Sequence, residues 1–292
     1  MITKKQIPKL IIRESGRSSD YISPNFVHGC LANCAYCYCL HTSKQDKKVL
    51  VYSNTSAILS EINRHVNFTA VWDENLKKPN QTHSKLITYD LGCNTDIPLH
   101  YKFIDYKAIV DFFYNHDKAF GTFATKYVNN NLLNYNVNNL RIRFSLMPQS
   151  LSTIVEPNTS KIIDRIKAID KFINAGYDVH VNFSPIIVYD NWIKDYTELF
   201  KLLDKHVKNK EIVKAECIFL THSAKKQHLN IFDNINKKAL SLLWVPELQE
   251  EKNNSFGTKR LRYKRRLKQQ FIDEFVEIHN KIIPWNRIRY IF

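Results

Sequence analysis

From position 28 to 38 the chain reads His-Gly-Cys30-Leu-Ala-Asn-Cys34-Ala-Tyr36-Cys37-Tyr38, a CxxxCxxC spacing that sets three thiols within eight residues. Groups this close along the chain stay within reach of one another whatever the backbone does. Four of the six cysteines lie between Cys30 and Cys39, too crowded for a disulfide framework in 292 residues, so they read as metal ligands. Three thiolates suffice to hold a cuboidal [4Fe-4S] cluster and leave its fourth iron without a protein ligand. The amino and carboxylate groups of S-adenosylmethionine can chelate that open iron. Zinc is the competing occupant, with Cys39 or His41 as a fourth ligand, although zinc motifs commonly pair two CxxC elements and the sequence has no second pair.

Apolar, β-branched runs alternate with amphipathic stretches, the signature of βα units. Strands are expected at 21–27, 85–89, 119–124, 140–146, 178–183 and 215–220. Helices are expected near 55–65, 106–116, 160–175 and 195–208, with Asn174-Ala175-Gly176 as a helix stop. Six such units predict an α/β fold, an incomplete parallel (β/α)6 barrel over residues 1–222. Chemistry in such barrels gathers where strands end, which singles out Cys93 and Thr95 after the second strand, Lys126 after the third and Ser145 closing the fourth. Arg143 and Ser145, two apart on one strand, share a face. Cys217 falls inside a strand and reads as a small buried hydrophobe.

From 223 to 292 the strand rhythm fades, leaving an extension with seven cations in ten residues (Lys259–Lys268) and a last helix near 267–282. The chain as a whole carries 43 Lys+Arg against 28 Asp+Glu, a formal charge of +15. Such an excess favours a polyanionic partner through counterion release. Within the run, Lys259, Arg260, Arg262, Lys264 and Arg265 are candidates to track phosphates, with Arg266 beside them and Tyr263 to stack on a base. Apolar runs are too short for a membrane span and no leader opens the sequence, so the expected location is the cytoplasm, without a membrane partner.

Several segments together resemble the spore photoproduct lyase family of radical S-adenosylmethionine enzymes. They are the cysteine motif with Tyr36 and Tyr38, Cys93-Asn94-Thr95-Asp96-Ile97, Thr125-Lys126-Tyr127, Arg141-Ile-Arg143-Phe-Ser145, Glu156-Pro157-Asn158-Thr159-Ser160 and Ala175-Gly176-Tyr177. The resemblance implies a radical S-adenosylmethionine partial barrel and a [4Fe-4S] cluster on Cys30, Cys34 and Cys37. The implied reaction is reversal of an ultraviolet-induced thymine dimer in DNA through a 5'-deoxyadenosyl radical. It further implies that Cys93 gives a hydrogen atom to the product radical and that Tyr36 and Tyr38 help return it to the cofactor. Thr95, Lys126, Tyr36 and Ser145 would hold S-adenosylmethionine, and a flavodoxin or ferredoxin would supply the electron. Glu156 to Ser160 read as a turn and helix cap.

Two departures stand out: Asn94 replaces a threonine of the family motif, and the residues after Gly257 are Thr258 and Lys259 where the family carries an Arg-Tyr pair. They leave open a related radical enzyme acting on another base or lesion, and a non-catalytic zinc-stabilised nucleic-acid binding protein.

Overall fold

The computed structural model of the chain describes residues 2–37, 39, 49–69, 83–223, 236–253 and 259–292. In chain order the strands are β1 (Ile2–Lys5), β2 (Arg13–Glu14), β3 (Tyr21–Ile22), β4 (Val27–His28), β5 (Val49–Tyr52), β6 (Ile87–Asp90), β7 (Ala119–Thr125), β8 (Leu140–Ser145), β9 (Asp178–Ile186), β10 (Lys214–Phe219), β11 (Thr221–Ser223), β12 (Gln249–Asn253), β13 (Lys259–Tyr263) and β14 (Ile288–Ile291). The helices are α1 (Thr55–Thr69), α2 (Tyr106–Tyr114), α3 (Gln149–Val155), α4 (Ile162–Asn174), α5 (Trp192–His206), α6 (Lys237–Leu243) and α7 (Arg265–Ile282). They form two compact units, one of Met1–Leu31, Gln45–Phe144 and Ala168–His180, the other of Ala32–Lys44, Ser145–Lys167 and Val181–Phe292.

In the first unit β3, β6, β7 and β8 run parallel in that order, with Tyr21 beside Tyr89, Ile87 beside Ala119 and Gly121 beside Leu140. β2 adds an antiparallel edge, Arg13 opposite Ile22. Six of the seven residues of β7 are buried, as expected of a parallel strand covered on both faces. Gly176 closes α4 with φ +94°, and a Cβ there would stand 2.5 Å from the Val137 carbonyl oxygen, so both conformation and space require glycine.

The expected strand at 21–27 is two short ones. Pro24 has no N–H to give a ladder, and the chain leaves the main sheet after Ile22 to pair Val27 with Val51 of β5.

In the second unit the end of β9 lies beside β10, Leu220 N donating to Ile186 O at 2.9 Å. β14 then pairs in parallel with β10, Ala215 beside Ile288. Helices α5 and α7 pack through Phe183, Phe200, Phe275 and His279, whose rings meet at centroid distances of 5.4 to 6.3 Å. Residues 223–292 share this unit with α5 and β10. The tail also keeps its strands: β13 joins β11 and β12 in an antiparallel sheet, Thr221 facing Arg262 and Glu250 facing Arg262 from the other side.

Candidate active site

In the first unit the loop after β6 is pinned on both sides. Asp90 accepts from Gly92 N at 2.9 Å through one carboxylate oxygen and from Arg143 Nη2 at 2.8 Å through the other. Asp96, buried, accepts from Thr125 Oγ1 and Lys126 N, each at 2.7 Å, and from Leu99 N at 3.3 Å. Burial raises its pKa, and the bonds from Lys126 and Thr125 oppose that rise. The ends of β6 and β7 are thereby locked together, which fixes where Cys93, Thr95 and Lys126 leave the sheet.

This loop also holds the first cysteine of the motif. Gly29 N donates to Asn94 O at 3.0 Å, and Thr95 Oγ1 donates to Gly29 O at 2.9 Å. Gly29 sits at φ +95°, a conformation glycine adopts without steric cost. The Asn94 side-chain amide donates to Asn25 Oδ1 at 2.8 Å. Cys30 and Cys93, part-exposed and not in a disulfide, are each the neighbour of a residue in this clasp. The Thr95 hydroxyl has given its hydrogen to Gly29, and its oxygen can still accept from a cofactor ammonium.

In the second unit Cys34 is buried and Cys37 part-exposed, neither in a disulfide, and Cys37 N closes a turn on Cys34 O at 2.9 Å. Ala35 N donates to Val155 O at 2.8 Å, and the Tyr36 hydroxyl donates to Glu156 Oε1. Desolvation, the neighbouring Glu156 carboxylate and the Cys34 thiolate hold the Tyr36 phenol well above its ordinary pKa. Glu156 Oε2 in turn accepts from Arg165 Nη2 at 2.8 Å and from Ser152 Oγ at 3.1 Å. Arg165 spends its remaining donors on Ser145 O and Ser160 O at 2.9 Å and Thr159 Oγ1 at 2.6 Å.

Sequence reasoning passed over this brace. Glu156 is a buried anion holding a motif tyrosine, and Thr159 donates to Glu156 O at 2.8 Å while accepting from Arg165. The signal was an acidic residue at a helix end with an arginine nine positions on. Ser145 is buried at the end of β8, and its carbonyl serves Arg165. Tyr38 lies outside the described residues, as do Gly257 and Thr258. Cys217 is fully buried, and burial pushes its thiol far up.

The donor set suits an iron-sulfur cube. Its three thiols belong to one short chain segment, and none is in a disulfide. Among the described residues no three His, Cys, Asp or Glu side chains are gathered closely enough to hold a metal ion. Polar ends of neighbouring strands, the Thr95 hydroxyl and the Lys126 ammonium, suit the carboxylate and ammonium of an amino acid.

The basic run corrects one expectation. Tyr263 points inward, 1% exposed, its hydroxyl accepting from Val188 N at 2.8 Å, so it cannot stack on a base. Strand alternation turns it to the core among Phe219 and Phe271. Three cations are engaged in or beside the sheet: Lys259 Nζ with Glu251 at 2.7 Å, Arg262 with Glu250 at 3.1 Å, and Lys264 Nζ with Glu247 O at 2.8 Å. Arg260, Arg265 and Arg266 remain exposed. No helix among the described residues is long and apolar enough to cross a membrane.

A family model described as spore photoproduct lyase matches residues 7–292. The spore photoproduct lyase of Clostridium acetobutylicum is 27% identical over 278 residues, 94% of this chain and 77% of that protein. The enzyme of the same name from Bacillus subtilis is 28% identical over 190 residues, 64% of this chain and 52% of its own. Among solved structures, a variant of spore photoproduct lyase superposes with a TM-score of 0.86 at 20% identity, covering 100% of this chain and 82% of that one. A second variant, with bound AdoMet and dinucleoside spore photoproduct, gives 0.85 with the same identity and coverage. This likeness shows the fold expected from the sequence, an α/β partial barrel of parallel strands.

Proposed function

The chain belongs to the spore photoproduct lyase family, radical S-adenosylmethionine enzymes that use a [4Fe-4S] cluster, and on that premise we propose that it reverses a spore-type thymine dimer in DNA. When bound, cluster and S-adenosylmethionine supply a carbon-centred radical that can take a hydrogen atom from the lesion. Cys30, Cys34 and Cys37 are the residues to hold the cluster, and Thr95 and Lys126 those to hold the amino-acid end of the cofactor. Cys93 then gives its thiol hydrogen to the thymine radical left after scission of the bridging carbon bond, since an S–H bond is weak and a small soft side chain approaches a carbon radical closely. Tyr36, its hydroxyl fixed on Glu156, stands between two of the cluster cysteines in sequence and is a candidate for hydrogen return together with Tyr38. A flavodoxin or ferredoxin in the cytoplasm, where thiols stay reduced, is the electron source that fits.

The observation carrying this reading is the clasp between Gly29 and the Asn94-Thr95 pair. It fixes the backbone beside the candidate hydrogen donor, Cys93, against the backbone beside the first cluster ligand, Cys30. Anaerobically reconstituted protein, given dithionite, S-adenosylmethionine and a lesion-bearing oligonucleotide, should release repaired thymine pairs. Cofactor cleavage at a normal rate with the lesion untouched would remove the proposal.

A second reading keeps the chemistry and changes the lesion. The inward Tyr263 and the three engaged cations support it, because they leave the basic run with fewer groups for a particular lesion. Duplexes carrying the spore lesion that bind much more tightly than undamaged ones would speak against it.

A further inference from the structure

We infer that a cavity of about 250 Å³ in the first unit, lined by Ile7, Lys9, Ile11, Arg13, Ser23, Pro24 and Asn25, is a subsite for a single phosphodiester of the DNA strand. The inference rests on the functional reading above and adds to it a point of attachment outside the basic run of 259–268.

The cavity has the donors a phosphate needs. Lys9 and Arg13 are exposed, and no ion pair reaches either among the described residues. Both cations are therefore open to an anion from outside. Asn25 accepts from Asn94 through Oδ1, which leaves its Nδ2 hydrogens directed elsewhere. Ser23 is occupied, its hydroxyl donating to Pro24 O at 3.0 Å and Asp90 O at 3.1 Å, and so shapes the wall. A guanidinium, an ammonium and an amide match phosphate oxygens by charge and by geometry, while Ile7 and Ile11 complete the lining.

Position gives the cavity its meaning. Asn25 is bonded to Asn94, and Asn94 follows Cys93. A phosphate held by Lys9, Arg13 and Asn25 would therefore set the register of the strand relative to the candidate hydrogen donor, and phosphate contacts do fix register without reading sequence. The asparagine that departs from the family motif at 94 is the residue that makes this link.

Equilibrium binding tests it with three ligands: a dinucleoside lesion without phosphodiester, the same lesion within a short oligonucleotide, and inorganic phosphate as competitor. The wild type should prefer the phosphodiester form, and the Lys9→Ala/Arg13→Ala variant should shrink that preference roughly tenfold, the effect of losing charge-assisted hydrogen bonds. On undamaged oligonucleotide the variant's slope of log affinity against log salt should fall by about 0.9, one phosphate's share. An unchanged preference and an unchanged slope overturn the subsite. Should the wild type ignore the lesion altogether, the functional reading fails, yet the slope on undamaged DNA still decides the subsite. Inorganic phosphate binding as tightly as the oligonucleotide, and lost in the variant, would make the cavity a free-phosphate site and overturn its assignment to DNA. Both side chains are exposed, so the variant should fold; the charge-retaining Lys9→Arg variant should keep the preference.

Discussion

Arg165 Nη2 stands 2.8 Å from Glu156 Oε2 with neither side chain exposing any surface, and the other Glu156 oxygen receives the Tyr36 hydroxyl. A buried pair of this kind is costly to break from one side, because the remaining charge has neither water nor partner. The pair thus joins the end of α3, the start of α4 and the segment carrying Cys34 and Cys37 within one unit. Glu156→Gln should cost about 3–5 kcal/mol in denaturant unfolding, and Glu156→Gln/Arg165→Met should recover a good part of it. A double variant as unstable as the sum of both singles would show that the two residues do not act as a pair.

The Gly29 clasp makes a milder prediction. Thr95→Val removes the hydroxyl that reaches Gly29 O and should lower stability by about 1 kcal/mol, with faster loss of iron to a chelator. Thr95→Ser keeps the donor and should retain the wild-type rate of iron loss, measured by absorbance near 400 nm.

Cys93 separates the chemistry from the binding. Cys93→Ala should cleave cofactor as before and send the product radical astray, giving adducts in place of thymine pairs by mass spectrometry. Normal product from this variant would take the hydrogen donor's role away from Cys93.

Within the basic run, the inward and outward residues should part company. Tyr263→Phe strands the buried Val188 N–H and should cost about 1–3 kcal/mol, with DNA affinity unmoved. Arg260→Ala/Arg265→Ala/Arg266→Ala should leave stability nearly alone and flatten the salt dependence of DNA binding by up to about 0.9 per phosphate lost.

His100 gives the pH dependence. Neither ring nitrogen has a hydrogen-bond partner among the described residues, and burial lowers its pKa to about 4. The unfolded chain takes up a proton near 6.5 that the folded chain refuses, so it binds more protons between those values. Stability is full above about 6.5 and drains as pH falls towards 4, by an amount on the order of 3 kcal/mol. His100→Leu should flatten that part of the curve; an identical acid slope in the variant would assign it to other groups.

Much of the machinery was legible because it is local. Eight residues carry the three thiols, alternating apolar runs announced β6 to β10 within a few positions, and Gly176 declared the end of α4. These features depend on spacing and on what one residue can do by itself. The short strands β3 and β4 look like one in the sequence because a single proline sets the break, and apolar character continues across it.

The sequence alone determined the cluster motif, the parallel α/β pattern and the excess of positive charge. Tertiary structure alone decided that Glu156 faces Tyr36, that Asn94 reaches Asn25, and that Tyr263 turns inward while its neighbours' charges are met by Glu250 and Glu251. Those outcomes depend on which distant segments the fold brings within 3 Å, and hydrogen bonds and burial have no range beyond that contact to leave a periodic trace along the chain.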